Sequence, residues 1–226
     1  MKARVQTDIA LLVLVIMLTG IFYVSPQLHS GDEVIDFVLE FLGFICILKG
    51  TFLRMVARGH KKANSKESHS LVTSGVYSVI RNPMYFGTFM IGLGFTLILW
   101  PWWAVPIFVI VFYLRFKRQV RREEKFLLDS FGDQFRQYCE KTPRIFPSFD
   151  TMLHFNPKKI FNLKETFSTK ENWGLISWPL LALLLSCVQQ WILYHVVDLY
   201  LMMFILVGAI LTYVVGFTLS YWIRSR

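Results

Sequence analysis

The chain has 226 residues, 54% of them apolar, and its 24 Lys and Arg outnumber 15 Asp and Glu to give a formal net charge of +9. That apolar content excludes an ordinary soluble domain and fits a compact membrane protein. Cys46, Cys139 and Cys187 have neither the number nor the spacing for a disulfide framework or a metal site, so they read as packing residues and no metal is expected.

In chain order, the first apolar stretch is about 8 to 25. It follows MKAR as a signal peptide would, yet no small-x-small cleavage site follows and the run is long, so the expectation is a retained anchor. The second stretch, about 34 to 56, and the third, 83 to 100, approach the roughly 20 residues a helix needs to cross a bilayer. Between them, 57 to 68 reads as a mobile polar loop, whereas 69 to 82 mixes apolar and turn residues in a way a free loop does not. Asn82-Pro83 predicts a helix start, with asparagine capping the first amides and proline at the first helical position. Gly75 and Gly87 permit tight turns or close approach, and Gly92 with Gly94 thin one helix face. Tyr77 and Tyr85 read as interfacial aromatics.

A short turn at 100 to 102 leads into a fourth stretch, 102 to 116, which continues as LRFKRQVRREEKFLLDSFG. This predicts one long helix leaving the membrane and ending near Gly132 as a C-cap. Segment 151 to 172, with Phe155, Ile160, Phe161, Leu163 and Phe167, predicts an amphipathic strip on the inner membrane surface. Stretches 174 to 195 and 198 to 222 complete a set of about six spans. Near their outer ends Gln189, Gln190, His195 and Asp198 read as solvated, while Gly208 and Gly216 offer a helix-packing or homodimer surface.

With a cytoplasmic N-terminus, the outer loops 26 to 33, 100 to 102 and 195 to 198 hold none of the 24 Lys and Arg residues. Arg54 and Arg115 stand at the inner ends of their stretches and count with the inner clusters, and Lys49, farther within its span, is close enough to the inner side to snorkel. The expectation is an all-α, multi-pass integral membrane protein with both termini cytoplasmic. It divides into a four-span core, 1 to 150, and a two-span extension, 151 to 226. The basic charge has no soluble nucleic-acid module behind it, so no nucleic-acid partner is expected.

Two polar constellations stand out. The start of the third span has exposed amides, a helix dipole and Arg81, which together favour a carboxylate or phosphate. At the end of the fourth, helical spacing sets Gln119 over Glu123 and Arg118 over Arg122. Glu123 and Glu124 suit an ammonium or sulfonium ion, and the arginines a carboxylate. Both constellations lie on the inner face of antiparallel neighbours, as a pocket for a zwitterionic cofactor with a planar base requires.

The residues His69-Ser-Leu-Val-Thr-Ser-Gly-Val-Tyr77, Arg81-Asn-Pro-Met-Tyr85, Glu123-Glu124 with Leu127, Phe131-Gly132, Tyr138 and Pro143-Arg144-Ile-Phe-Pro147 resemble the isoprenylcysteine carboxyl methyltransferase family. The resemblance covers about residues 69 to 147. It implies a helical membrane methyltransferase using S-adenosyl-L-methionine at the cytoplasmic interface. It carries cofactor-binding positions onto His69, Ser70, Leu71, Val72, Tyr77, Asn82, Pro83, Met84, Tyr85 and Glu123, with Gly75, Arg81 and Glu124 beside them. Glu123, Gln119 and Arg118 are the expected catalytic set. Two departures matter. Asn82 stands where the family has histidine, and Gln119 stands where the family has an arginine that helps hold the substrate carboxylate. Arg118 points about 100° away around a regular helix and is no automatic substitute. The acceptor implied is lipophilic: a prenylated cysteine carboxylate, a phospholipid amine or another membrane lipid, or a thiol. The rivals are a non-catalytic membrane protein with a degenerate pocket and a sterol-type membrane reductase.

Overall fold

The computed structural model describes residues 33–65, 70–148 and 169–194 continuously, with 13–22, 24–25, 28, 162–167 and parts of 199–218. Helices and turns make up the described residues, and no strand occurs among them. The helices are α1 (Val13–Phe22), α2 (Glu33–Asn64), α3 (Pro83–Leu99), α4 (Val105–Lys141) and α5 (Gly174–Tyr194). Short 3₁₀ turns at Gly75–Ser78, Trp102–Ala104 and Lys170–Trp173, and a single turn at Leu163–Thr166, link them.

Helices α2 and α3 touch through their backbones. A Cβ on Gly50 would stand 2.6 Å from the Gly87 carbonyl oxygen, and one on Gly94 would stand 2.5 Å from that of Gly43. Small residues at such crossings let dispersion contacts and backbone proximity hold two helices together in a solvent as apolar as their side chains. The thin face expected at Gly92 and Gly94 serves two neighbours, because Gly92 instead faces the Phe108 ring of α4, 2.7 Å from where its Cβ would lie. Phe44, Ile47, Ile98 and Leu99 close the core against Ala182 and Leu183 of α5.

The segment expected to be a mobile loop after the second span is helical as far as Asn64. Its extra turns are tied down from the C-terminal side. Arg58 pairs with Glu171 at 2.5 Å, and His60 Nδ1 lies 2.9 Å from Glu165. Gly59 admits that strap so closely that a Cβ would meet the Glu165 carbonyl oxygen at 2.1 Å. Phe167, expected on the membrane surface, is instead buried against Met55 and Leu175; Phe155, Ile160 and Phe161 lie outside the described residues.

Gly132 does not end its helix. It adopts φ 51° and ψ −122°, a kink inside α4, after which the helix re-forms to Lys141. The second limb persists because it buries apolar surface: Phe135 and Tyr138 are 4% and 9% exposed.

Much of the helices' described exterior is apolar. Phe41, Ile110, Leu114, Leu184 and Trp191 are all exposed, a surface that a bilayer matches and water does not. Among the described residues one helix, Glu171–Ile192, is long and apolar enough to cross a membrane, and Val13–Phe22 and Pro83–Leu99 are shorter apolar helices. Near the far end of α5, Gln190 is not simply solvated: its amide donates to Glu40 of α2 at 3.3 Å, beside a hydrogen bond from Ser186 to the same carboxylate. His195, Asp198 and Gly216 lie outside the described residues.

Candidate functional site

The segment before α3 is held by buried hydroxyls. Gly75 has φ +60°, and a Cβ there would crowd the His60 ring at 2.8 Å, so only glycine fits without strain. This turn sends Tyr77 inward. Its hydroxyl donates to the Ala57 carbonyl at 3.3 Å, while its own carbonyl accepts from the Tyr138 hydroxyl at 2.6 Å. Tyr77 is therefore a peg joining α2 to the far limb of α4, not an interfacial aromatic. Burial raises both phenols above their ordinary pKa, with the Glu123 charge adding to the effect on Tyr77 and Tyr77 adding to that on Tyr138.

Residues 81 and 82 are pinned by the chain that leaves α4. The Arg81 and Asn82 amides donate to the Pro143 and Arg144 carbonyls at 2.9 and 3.1 Å. Pro83 opens α3 as expected, with Asn82 in the N-cap position, but the asparagine side chain makes no cap hydrogen bond. Its φ of −123° and ψ of 59° turn the amide away from the helix, and Nδ2 donates instead to the Arg144 carbonyl at 3.0 Å and to Glu124 at 3.4 Å. Arg81 likewise turns from the helix start: its Nη1 reaches Glu124 at 3.3 Å and Cys139 Sγ at 2.6 Å.

The adjacent glutamates differ because neighbours on a helix point about 100° apart. Glu124 is 8% exposed and is clasped by Arg81, Asn82 and Arg144, whose Nε lies 3.1 Å away. Glu123 is exposed and accepts from the Tyr85 hydroxyl at 2.6 Å and the Gln119 amide at 3.0 Å. One carboxylate clamps the structure, and the other stands at the wall of a cavity.

That cavity, of about 780 Å³, opens between the ends of α2, α3 and α4. Twelve of the expected residues line it: Ser70, Leu71, Val72, Tyr77, Arg81, Asn82, Pro83, Met84, Tyr85, Gln119, Glu123 and Glu124. Gly75 stands behind the wall against His60. Arg118 is exposed and is not among the lining residues, which agrees with its helical angle. His69 lies outside the described residues. Sequence reasoning missed Arg54, Lys61 and Thr88 and the rings of Phe126 and Phe135 in the lining, and it had Tyr138 only among the residues that carry the resemblance. Arg54 and Lys61 are two helical turns apart and so share a face, a signal hidden once 57 to 68 is taken for a loop.

Residues 38–134 match the family model described as phospholipid methyltransferase. A protein-S-isoprenylcysteine O-methyltransferase from Schizosaccharomyces pombe is 35% identical over 114 residues, which is 47% of this chain and 48% of the relative. Its namesake in Saccharomyces cerevisiae is 32% identical over 44% of this chain and 45% of its own length, and that of Dictyostelium discoideum is 30% identical over 59% and 57%. Over this stretch the chain is similar to the phospholipid methyltransferase model and to proteins named protein-S-isoprenylcysteine O-methyltransferase. The chain spans about half the length of the curated relatives it matches. No solved structure matches it. The match to the phospholipid methyltransferase model ends close to the kink of α4, so Arg144 and the strap lie beyond that model.

Proposed function

We propose that the protein is a multi-pass membrane methyltransferase that transfers the methyl group of S-adenosyl-L-methionine to a lipophilic acceptor bearing a prenylcysteine-like carboxylate. The observation that carries this reading is the cavity in which Tyr85 and Gln119 hold the Glu123 carboxylate, in a chain similar to protein-S-isoprenylcysteine O-methyltransferases.

The residues fit the cofactor's chemistry. A cavity of this size lies within the usual range of about 300–1,000 Å³ for small-molecule sites. Glu123 suits a cationic end, Lys61 and Arg122 a carboxylate, and Leu71, Val72 and Met84 a planar base. The cofactor supplies an electrophilic methyl group on a sulfonium. The protein's part is to align the acceptor oxygen and to exclude water, because a carboxylate needs no proton removed. Tyr85 and Gln119 keep Glu123 in one orientation, and the Tyr77–Tyr138 peg keeps the wall of 70 to 77 in place.

We place the cavity at the cytoplasmic interface of a six-span protein with both termini inside. The distribution of Lys and Arg and the apolar exterior support that topology. The cofactor then enters from water and the acceptor from the bilayer. A phospholipid amine is the second reading, favoured by the family model that matches. Calorimetry of the purified protein with S-adenosylmethionine, followed by labelled methyl transfer to a prenylated cysteine or to a phospholipid extract, tests both. Binding is expected and is expected to weaken at least about tenfold in Glu123→Ala, the loss of a charge-assisted contact. Binding indifferent to that change would refute the assignment.

A further inference from the structure

Gln119 leaves the family's usual arginine position without a cation, yet the cavity holds another guanidinium. Arg54 of α2 lines it opposite Thr88, to which its Nη1 donates at 2.6 Å. Thr88 is five residues into α3, about 7.5 Å along the axis from Pro83. Arg54 therefore sits toward the membrane side of the cavity, below the Tyr85–Glu123 pair. Its stem passes over Gly87, where a Cβ would meet Arg54 Cγ at 2.7 Å.

The head is fixed from outside the family stretch. Arg54 Nε and Nη2 donate to Glu171 at 3.3 and 3.2 Å, and Arg58 donates to the same carboxylate at 2.5 Å. Two guanidiniums around one carboxylate leave a net positive charge. Arginine has five N–H donors, more than Thr88 and Glu171 engage together, so the fork retains capacity for a further anion. Its side chain is 24% exposed, and at such a half-buried place an ion pair is stronger than in open water.

We infer that Arg54, held in place by Glu171, is the seat for the acceptor's carboxylate, so that the segment after residue 150 completes the active site. This rests on the methyltransferase reading above and narrows it: beside Arg54 a lipophilic anion is received and a lipid amine is repelled. Arg54 is the binding group and Glu171 a positioning residue.

The test compares an S-farnesylated N-acetylcysteine with its carboxamide, a neutral analogue of nearly the same shape, by calorimetry on the full chain in detergent. The wild-type protein is expected to prefer the carboxylate about tenfold or more, the effect of a charge-assisted hydrogen bond. Arg54→Gln is expected to bring the preference close to unity while affinity for the carboxamide and for S-adenosylmethionine is unchanged. A variant that had merely lost its packing would weaken all three ligands together. If Arg54→Gln does not fold, Arg54→Lys, which keeps the charge and loses the fork, is expected to give up at least about threefold of the preference. A wild-type protein without the preference, or a preference unchanged in the folded variant, overturns the inference. Absence of S-adenosylmethionine binding in the wild type is a separate result and counts against the methyltransferase reading itself.

Discussion

Replacing Glu124 by glutamine is expected to damage the fold, whereas the same change at Glu123 is expected to spare it. Glu124 is 8% exposed and faces two guanidiniums. Arg144 is 48% exposed and recovers water when its partner goes, but Arg81, at 14%, is left as a nearly buried charge. Removing one partner of a buried ion pair costs about 3–5 kcal/mol, and the exposure of Arg144 puts this case near about 3 kcal/mol. At about 2–4 °C per kcal/mol for a chain of this size, the melting temperature falls by about 6–12 °C. Arg144→Met, which leaves Arg81 on the carboxylate, is expected to cost only about 1 kcal/mol. Thermal melts in detergent, with limited proteolysis of 143 to 148, read both changes. Melting of Glu124→Gln equal to that of Glu123→Gln would refute the division of labour between the two glutamates.

Three other outcomes follow from the geometry. Gly50→Ala and Gly94→Ala each push a methyl into a facing backbone carbonyl, at 2.6 and 2.5 Å, and are expected to lose about 1–3 kcal/mol, while Gly208→Ala, with no atom within 4 Å, melts as the wild type. Gly59→Ala displaces the strap at Glu165 and so loosens Glu171 from Arg54; steady-state kinetics are expected to show a raised KM for the acceptor with S-adenosylmethionine affinity unchanged. The raised pKa values of Tyr77 and Tyr138 mean that folding holds their protons more tightly than the unfolded chain does. That stabilisation is whole below the ordinary phenol value of about 10 and is lost as pH rises above it, so melts decline above about pH 10, and less so in Tyr138→Phe.

The sequence placed the start of α3, the long α4 and the approach of the α3 start to the Glu123 stretch of α4, because proline position, helix periodicity and a short connection are local or nearly local facts. It misjudged what depends on partners far along the chain. Asn82 has the chemistry of a cap, but two carbonyls from 143 and 144 set its backbone, so its amide turns to Arg144. The polar run 57 to 64 has a loop's composition, and only Glu165 and Glu171, more than a hundred positions later, show why it is helical. Gly132 was legible as a break, but not as a kink, since nothing local reveals that Phe135 and Tyr138 find a buried surface beyond it. Arg54 was counted as one charge among many because its role depends on Thr88 and Glu171 together.

The pairing of Arg81 and Asn82 with Pro143 and Arg144 also sets an order of assembly during synthesis. The ribosome makes the first half of the cavity some sixty residues before the segment that fastens it, and the kink at Gly132 lies on the chain between the two. A nascent chain stopped short of Arg144 therefore carries the recognisable Tyr85 and Glu123 but lacks the latch that aligns them. On the proposed function, loading with the methyl donor waits until the segment of Arg144 has been made, and a chain truncated within α4 has Tyr85 and Glu123 without that latch.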